Sequence, residues 1–314
     1  MKRILITGAL GQIGSELTMK LRETYGADNV VATDIKRNDS DAANSGPFEV
    51  VDVTDLESMV DVAKKYKVDT VMHLAALLSA TAEAKPVFAW NLNMGGLMNA
   101  LETAREMNAQ FFTPSSIGAF GPSTPKDNTP QDTIMRPTTM YGVNKVAGEL
   151  LADYYYQRFG VDTRGVRFPG LISYVTLPGG GTTDYAVEIY YEAVKNGKYC
   201  SYIDKGTYMD MMYMPDALNA IVDLMEADPE KLIHRNAFNI TSMSFDPEEI
   251  ATSIQKQIPS FKLSYAVDPA RQKIAESWPN SIDATAATRE WGFKYDYSLD
   301  RMTKDMIEKL RQKL

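Results

Sequence analysis

A chain of 314 residues is long enough to bury a large core, either as one domain or as a nucleotide-binding domain with a smaller appendage, and it needs no structural staple. Its 33 basic and 41 acidic residues give a net charge of −8, which opposes phosphate backbones and anionic headgroups, so neither nucleic acid nor a membrane is expected as a partner. Cys200 is the only cysteine and His73 and His234 the only histidines, so an intramolecular disulfide is excluded, a metal site made of Cys and His is not expected, and a reducing cytoplasmic setting is expected.

The chain opens with Lys2 to Thr7, a strand running into Gly8, with no pattern of a cleavable leader. No apolar run approaches the roughly 20 residues of a membrane-spanning helix. Short β-branched runs then recur at Arg3 to Ile6, Val30 to Thr33, Phe48 to Val51, Thr70 to Leu74, Gln110 to Pro114 and Thr163 to Phe168, with helix-like segments between them. That alternation predicts βαβ units and a parallel sheet covered by helices on both faces. After Leu171 it loosens into separate helical stretches and a glycine-rich loop, Pro178-Gly179-Gly180-Gly181. Ala237-Phe238-Asn239-Ile240 reads as a strand returning to the main sheet. Leu299, Met302, Met306, Leu310 and Leu314 recur at helical spacing, predicting one buried face of a closing helix.

Three places carry chemistry. The first is Thr7-Gly8-Ala9-Leu10-Gly11-Gln12-Ile13-Gly14, between the first strand and a helix. Glycines there allow a tight turn and close backbone approach, and a helix N-terminus favours a pyrophosphate. A glycine-rich turn with no ligand is the alternative. Asp34, at the end of the second strand, can accept hydrogen bonds from ribose hydroxyls and would repel a 2′-phosphate, whereas Lys36 and Arg37 could neutralise one.

The second place is Tyr141-Gly142-Val143-Asn144-Lys145, which sets a phenol and an ammonium on the same helix face. It follows Pro114-Ser115-Ser116-Ile117-Gly118-Ala119-Phe120-Gly121 at the end of the fifth predicted strand, the edge where open α/β sheets hold ligands. A phenol is a poor base at neutral pH, and an adjacent positive charge favours phenolate. The third place is Gly181-Thr182-Thr183-Asp184, where hydroxyls and free N–H groups at a helix start suit a carboxylate, unless Thr183 or Asp184 merely caps that helix.

The G-x-x-G-x-x-G spacing, with the Tyr-x-x-x-Lys pair downstream, resembles extended short-chain dehydrogenase/reductases. The resemblance implies a Rossmann-type α/β fold, a doubly wound parallel sheet with a smaller C-terminal substrate-binding domain. Residues 1–171, with the returning strand near 237–241, would bind NAD, and residues 172–314 would mainly bind substrate. It further implies that Asp52-Val53 holds the adenine, that His73-Leu74-Ala75-Ala76 passes under the cofactor, and that Asn93 in Leu92-Asn93-Met94-Gly95-Gly96 supports the active site. The implied cofactor contacts are Gly8, Gly11, Gln12, Ile13, Gly14, Asp34, Asp52, Val53, Leu74, Ala75, Asn93, Tyr141, Lys145 and Leu171. Tyr141, Lys145 and Ser116 are the implied catalytic residues, with Ser115 the close alternative to Ser116.

Within that family, Phe120-Gly121-Pro122, Arg167 to Ser173, Met211 to Ala217 and Asn236 to Thr241 resemble the threonine dehydrogenase branch over nearly the full chain. Ser79, Ser115, Ser116, Tyr141, Thr182 and Thr183 are then the implied contacts of a small substrate, L-threonine. A homodimer pairing through Tyr141 to Phe159 and Phe88 to Met107 is also implied. Two other readings of the same residues are a sugar-nucleotide epimerase or dehydratase, and a nucleotide-sensing scaffold without turnover, which would have no need of the base.

Overall fold

The computed structural model describes residues 1–176 and 181–314. The strands are β1 (Ile4–Thr7), β2 (Val30–Asp34), β3 (Phe48–Val50), β4 (Thr70–His73), β5 (Gln110–Phe112), β6 (Ser115–Ser116), β7 (Thr163–Arg164), β8 (Val166–Phe168), β9 (Gly170–Ile172), β10 (Lys198–Ser201), β11 (Met209–Tyr213), β12 (Phe238–Asn239), β13 (Met243–Phe245) and β14 (Lys262–Tyr265). The α-helices are α1 (Gln12–Tyr25), α2 (Asp41–Asn44), α3 (Leu56–Tyr66), α4 (Ser79–Ala84), α5 (Pro86–Met107), α6 (Met140–Phe159), α7 (Tyr185–Asn196), α8 (Met214–Glu226), α9 (Pro247–Gln255), α10 (Pro269–Ala275), α11 (Thr285–Trp291) and α12 (Leu299–Lys313).

Six strands form a parallel Rossmann-type sheet in the order β3-β2-β1-β4-β5-β7. Alternate residues of β1 enter different cores. Ile4 and Ile6 pack with α1 and α8, while Leu5 joins Val71 and Phe111 under α3 and α5. Burial on both faces is why these strands read as continuous apolar runs and not as alternating ones. A third core gathers α7, α9, α12 and β11. The chain interleaves the parts: α8 returns to pack beside α1, and β12 pairs in parallel with β8.

Local chemistry sets the boundaries. Helix α6 starts where the Thr139 side chain accepts the Gly142 N–H and ends at Gly160, whose φ of 70° breaks the helix. Two runs expected as single strands are broken. Gln110 to Pro114 ends at Phe112, because Pro114 has no N–H and the Lys145 ammonium takes its carbonyl at 2.6 Å. Thr163 to Phe168 breaks at Gly165, whose N–H and C=O turn to Arg235 and Phe238. The second halves, β6 and β8, form with β12 a separate parallel sheet, order β12-β8-β6, so the strand expected at Ala237-Phe238-Asn239-Ile240 joins this small sheet and not the main one. In α12, Met302, Met306 and Leu310 are buried, but Leu314 lies past the end and is 54% exposed. Among the described residues no helix is long and apolar enough to cross a membrane.

Candidate active site

The site lies where β1, β4 and β6 end. Gly8 has φ 67°, and a Cβ there would stand 2.7 Å from the Ala75 nitrogen. A Cβ on Gly14 would stand 2.1 Å from the Gly8 oxygen. The turn after β1, the segment Leu74-Ala75 after β4 and the first turn of α1, which holds Gln12 and Ile13, are therefore packed backbone on backbone. Gly11 brings no side chain to cap α1, so no cap side chain occupies the N–H groups of its first turn. The Asp34 carboxylate accepts the Leu10 N–H at 3.0 Å and the Ile35 N–H at 2.8 Å, which fixes it beside the same turn. Asp52 is tied to Thr54, whose N–H and hydroxyl hold its carboxylate below the usual range. Val53 is buried against Gly96. A side-chain-free turn, a free helix N-terminus and an anchored carboxylate fit a dinucleotide.

Across this edge, α6 presents Tyr141 and Lys145 one turn apart. Lys145 Nζ lies 5.4 Å from the Tyr141 ring centroid. The Tyr141 ring edge and Ser116 Oγ border the same point, at 3.2 and 3.4 Å from where a Cβ on Gly118 would be. Ser116 Oγ also accepts the Gly118 N–H at 3.1 Å. Ser115 points elsewhere, its buried hydroxyl donating to Glu149. This division follows from strand geometry, since successive side chains leave opposite faces. The structure thus brings Ser116 to Tyr141 and does not bring Ser115 there.

Asn93 on α5 is buried and fully engaged. Its Oδ1 accepts the Leu77 N–H at 2.8 Å, and its Nδ2 donates to the Leu77 carbonyl and to Asn144 Oδ1 at 3.0 Å, next to Lys145 in the chain. Met140 N–H, at the start of α6, donates to Glu83 of α4 at 2.5 Å, so the helix begun by Ser79 is tied to the one carrying Tyr141. His73 shares a hydrogen bond with Thr7 at 2.9 Å, and burial, helped by the charge of Lys145, pushes it down to about 3. Burial thus favours its neutral form. Behind Lys145 lies a cavity of about 50 Å³ whose wall includes Leu74, Ala75, Asn93, Lys145 and Glu149.

Thr182 and Thr183 open a 3-10 turn that runs into α7. Thr182 is buried, and Thr183 packs its methyl over Gly170, beside Leu171 on β9. Phe168, two residues before Gly170, is the register partner of Ser116, and Ile117 and Tyr185 share one core. The Ser116 edge and the Thr182–Thr183 turn are thereby anchored to consecutive strands, β8 and β9, and to one core. Of the glycine-rich loop, Pro178, Gly179 and Gly180 lie outside the described residues. Glu83, Asn144, Glu149 and Arg167 are site-forming residues that the motifs do not flag. The one available signal was Glu149, which continues the four-residue step of Tyr141 and Lys145.

A family model described as "NAD dependent epimerase/dehydratase family" matches residues 4–241. A Staphylococcus haemolyticus protein described as an uncharacterized epimerase/dehydratase is 64% identical over 314 residues, 100% of this chain and 99% of that one. Among solved structures, the L-threonine dehydrogenase of Clostridium difficile is similar at a TM-score of 0.98 and 67% identity, covering 100% of this chain and 98% of that one. That of Phytophthora infestans is similar at 0.96 and 51%, covering 100% of both chains.

Proposed function

The chain belongs to the NAD dependent epimerase/dehydratase family, and from that premise we propose that it is an L-threonine 3-dehydrogenase, converting L-threonine and NAD⁺ to L-2-amino-3-oxobutanoate and NADH. The observation that carries the reading is the meeting of Tyr141 and Ser116 at Gly118, beside Lys145. Similarity to the Clostridium difficile threonine dehydrogenase over the whole chain supports the choice of substrate.

NAD would be held by the Gly8, Gly11 and Gly14 turn with Gln12 and Ile13, by Asp34 at the ribose, by Asp52 and Val53 at the adenine, and by Leu74, Ala75 and Leu171 further along, while Asn93, its side chain engaged by Leu77 and Asn144, supports the site from behind. When bound it supplies the hydride acceptor. The chain's own residues do the rest. Ser116 holds the reacting hydroxyl, Tyr141 takes its proton as base, and Lys145 keeps positive charge beside the phenol and holds the nicotinamide ribose. Thr182, Thr183 and Ser79 receive the amino-acid end. In this reading residues 1–171, with the strand at 238–239, serve the cofactor, and most of residues 172–314 serve the substrate.

The finer features follow the same reading. A homodimer through α5 and α6 is supported by the exposed apolar side chains of Phe88, Trp90, Leu150 (61%) and Tyr154 (52%). Leu151 is partly buried and packs against the core under α5. Light scattering should report a dimer at micromolar concentration, and a monomer there would remove the assignment. The acidic surface charge and single thiol support the cytoplasm as its location.

A second reading, a sugar-nucleotide epimerase or dehydratase, is favoured by the wording of the family description. One assay separates them. Net NADH formation from added NAD with L-threonine, exceeding that with L-serine or L-allo-threonine, supports the dehydrogenase. Conversion of a UDP-sugar with no net reduction of NAD would replace it with the epimerase.

A further inference from the structure

Tyr141, Lys145 and Glu149 follow one another by single turns along α6, and each engages a neighbouring piece of one short segment. Lys145 Nζ donates to the Pro114 carbonyl, Glu149 takes the Ser115 hydroxyl, and the Tyr141 ring borders Ser116 and Gly118. Glu149 also grips the next strand. Arg167, in register with Ser115, donates Nε to Glu149 Oε1 at 3.0 Å and Nη2 to Oε2 at 2.8 Å. The guanidinium is completed by the Gln131 carbonyl at 2.9 Å, Asn239 Oδ1 at 3.0 Å and the face of Phe120. Glu149, Arg167 and Ser115 are all buried.

We propose that Glu149, clamped by Arg167, is a positioning residue that aims Ser116 at Tyr141 by holding Ser115. One carboxylate oxygen accepts from both Ser115 and Arg167, so β6 cannot turn about its axis without leaving a buried charge short of a partner, which is costly. Adjacent strand residues face opposite ways, so fixing the direction of Ser115 fixes that of Ser116. A buried bidentate pair that held only the fold would have no reason to recruit the residue beside the proposed oxygen-holding serine. The proposal rests on the roles given above to Ser116 and Tyr141.

The test uses the full-length enzyme with Ser115→Ala, which spares the ion pair, Glu149→Gln, and the two combined. A misaimed serine slows the chemical step more than binding, so Ser115→Ala should lower kcat by about tenfold or more while the threonine KM and the NAD Kd stay within about twofold. Glu149→Gln should do the same. The combined variant should be no slower than Glu149→Gln alone, because both act through one contact. Crystal structures of the variants without substrate should show Ser116 Oγ released from the Gly118 N–H. A Ser115→Ala enzyme within about twofold of the parent kcat, or a Ser116–Gly118 bond intact in that variant, overturns the proposal. Should Glu149→Gln not fold, Ser115→Ala decides alone. Should the parent not oxidise threonine at all, the functional reading falls, and the variant structures still decide whether Glu149 aims Ser116.

Discussion

The two sides of the cleft are built from different materials. On the cofactor side, geometry is set by backbone: Gly8 against Ala75, Gly14 against the Gly8 carbonyl, and a carboxylate, Asp34, held by two N–H groups. On the proton-transfer side it is set by side chains brought from distant parts of the chain, among them Tyr141, Lys145, Glu149 and Arg167 on α6 and β8. A backbone site tolerates no added atoms but carries little chemistry. A side-chain site carries the chemistry and depends on buried charges being paired. The two sides should therefore fail separately.

The largest expected effect is on the side-chain half. Tyr141→Phe keeps the ring and its packing but removes the proposed base, so kcat should fall by about 10² to 10⁴ with little change in NAD affinity, measured by steady-state kinetics and calorimetry. Lys145→Ala should blur the division, weakening both turnover and NAD binding, since it faces both sides.

Outside the residues placed in the cleft, a buried carboxyl makes the stability of the fold sensitive to pH. Asp210 on β11 is 2% exposed, and burial pushes its carboxyl up to about 7, opposed by the Thr241 hydroxyl at 2.5 Å. The folded protein therefore binds this proton more tightly than the unfolded chain. Its contribution is present in full below about pH 4 and is lost as pH rises towards 7, at up to about 1.4 kcal/mol per pH unit. Denaturant titrations should show Asp210→Asn flattening the stability profile across that window. An unaltered slope would remove Asp210 as the cause.

On the backbone half, Gly14→Ala forces a Cβ to within 2.1 Å of a carbonyl oxygen. Backbone must shift, at a cost on the order of 1 to 3 kcal/mol in thermal or denaturant stability, and NAD affinity should fall with it. The smallest effect belongs to Thr183→Ala, which should raise the threonine KM by the loss of one hydrogen bond, about 0.5 to 1.5 kcal/mol, with NAD affinity unmoved. A parent-like KM would leave Thr183 as packing over Gly170 only.

The same contrast explains what could be read from sequence. The backbone half depends on glycines at a fixed three-residue spacing and a strand-end carboxylate, local features that survive in the linear pattern. Tyr141 and Lys145 were also legible, because four residues is one helical turn. Ser115 and Ser116 were not separable, since the choice between them depends on which faces Glu149 and which faces Tyr141. Arg167 was equally hidden. Its meeting with Glu149 depends on β8 leaving the main sheet at Gly165, and a β-branched run does not announce that break. The parallel sheet and the helices on both faces followed from the alternation of elements. The switch of β6 and β8 into a separate sheet needed the tertiary pull of Lys145 and Arg235.

Separate failure of the two halves is best measured on Asp34→Ala and Tyr141→Phe side by side, with NAD and NADP affinity by calorimetry and threonine turnover at saturating NAD. Asp34→Ala should weaken NAD binding, narrow its advantage over NADP and keep most of kcat. Tyr141→Phe should keep the parent affinity and lose turnover. If Tyr141→Phe oxidised threonine near the parent rate, or if both variants lost NAD affinity alike, the division between a backbone-built cofactor side and a side-chain-built chemical side would be contradicted.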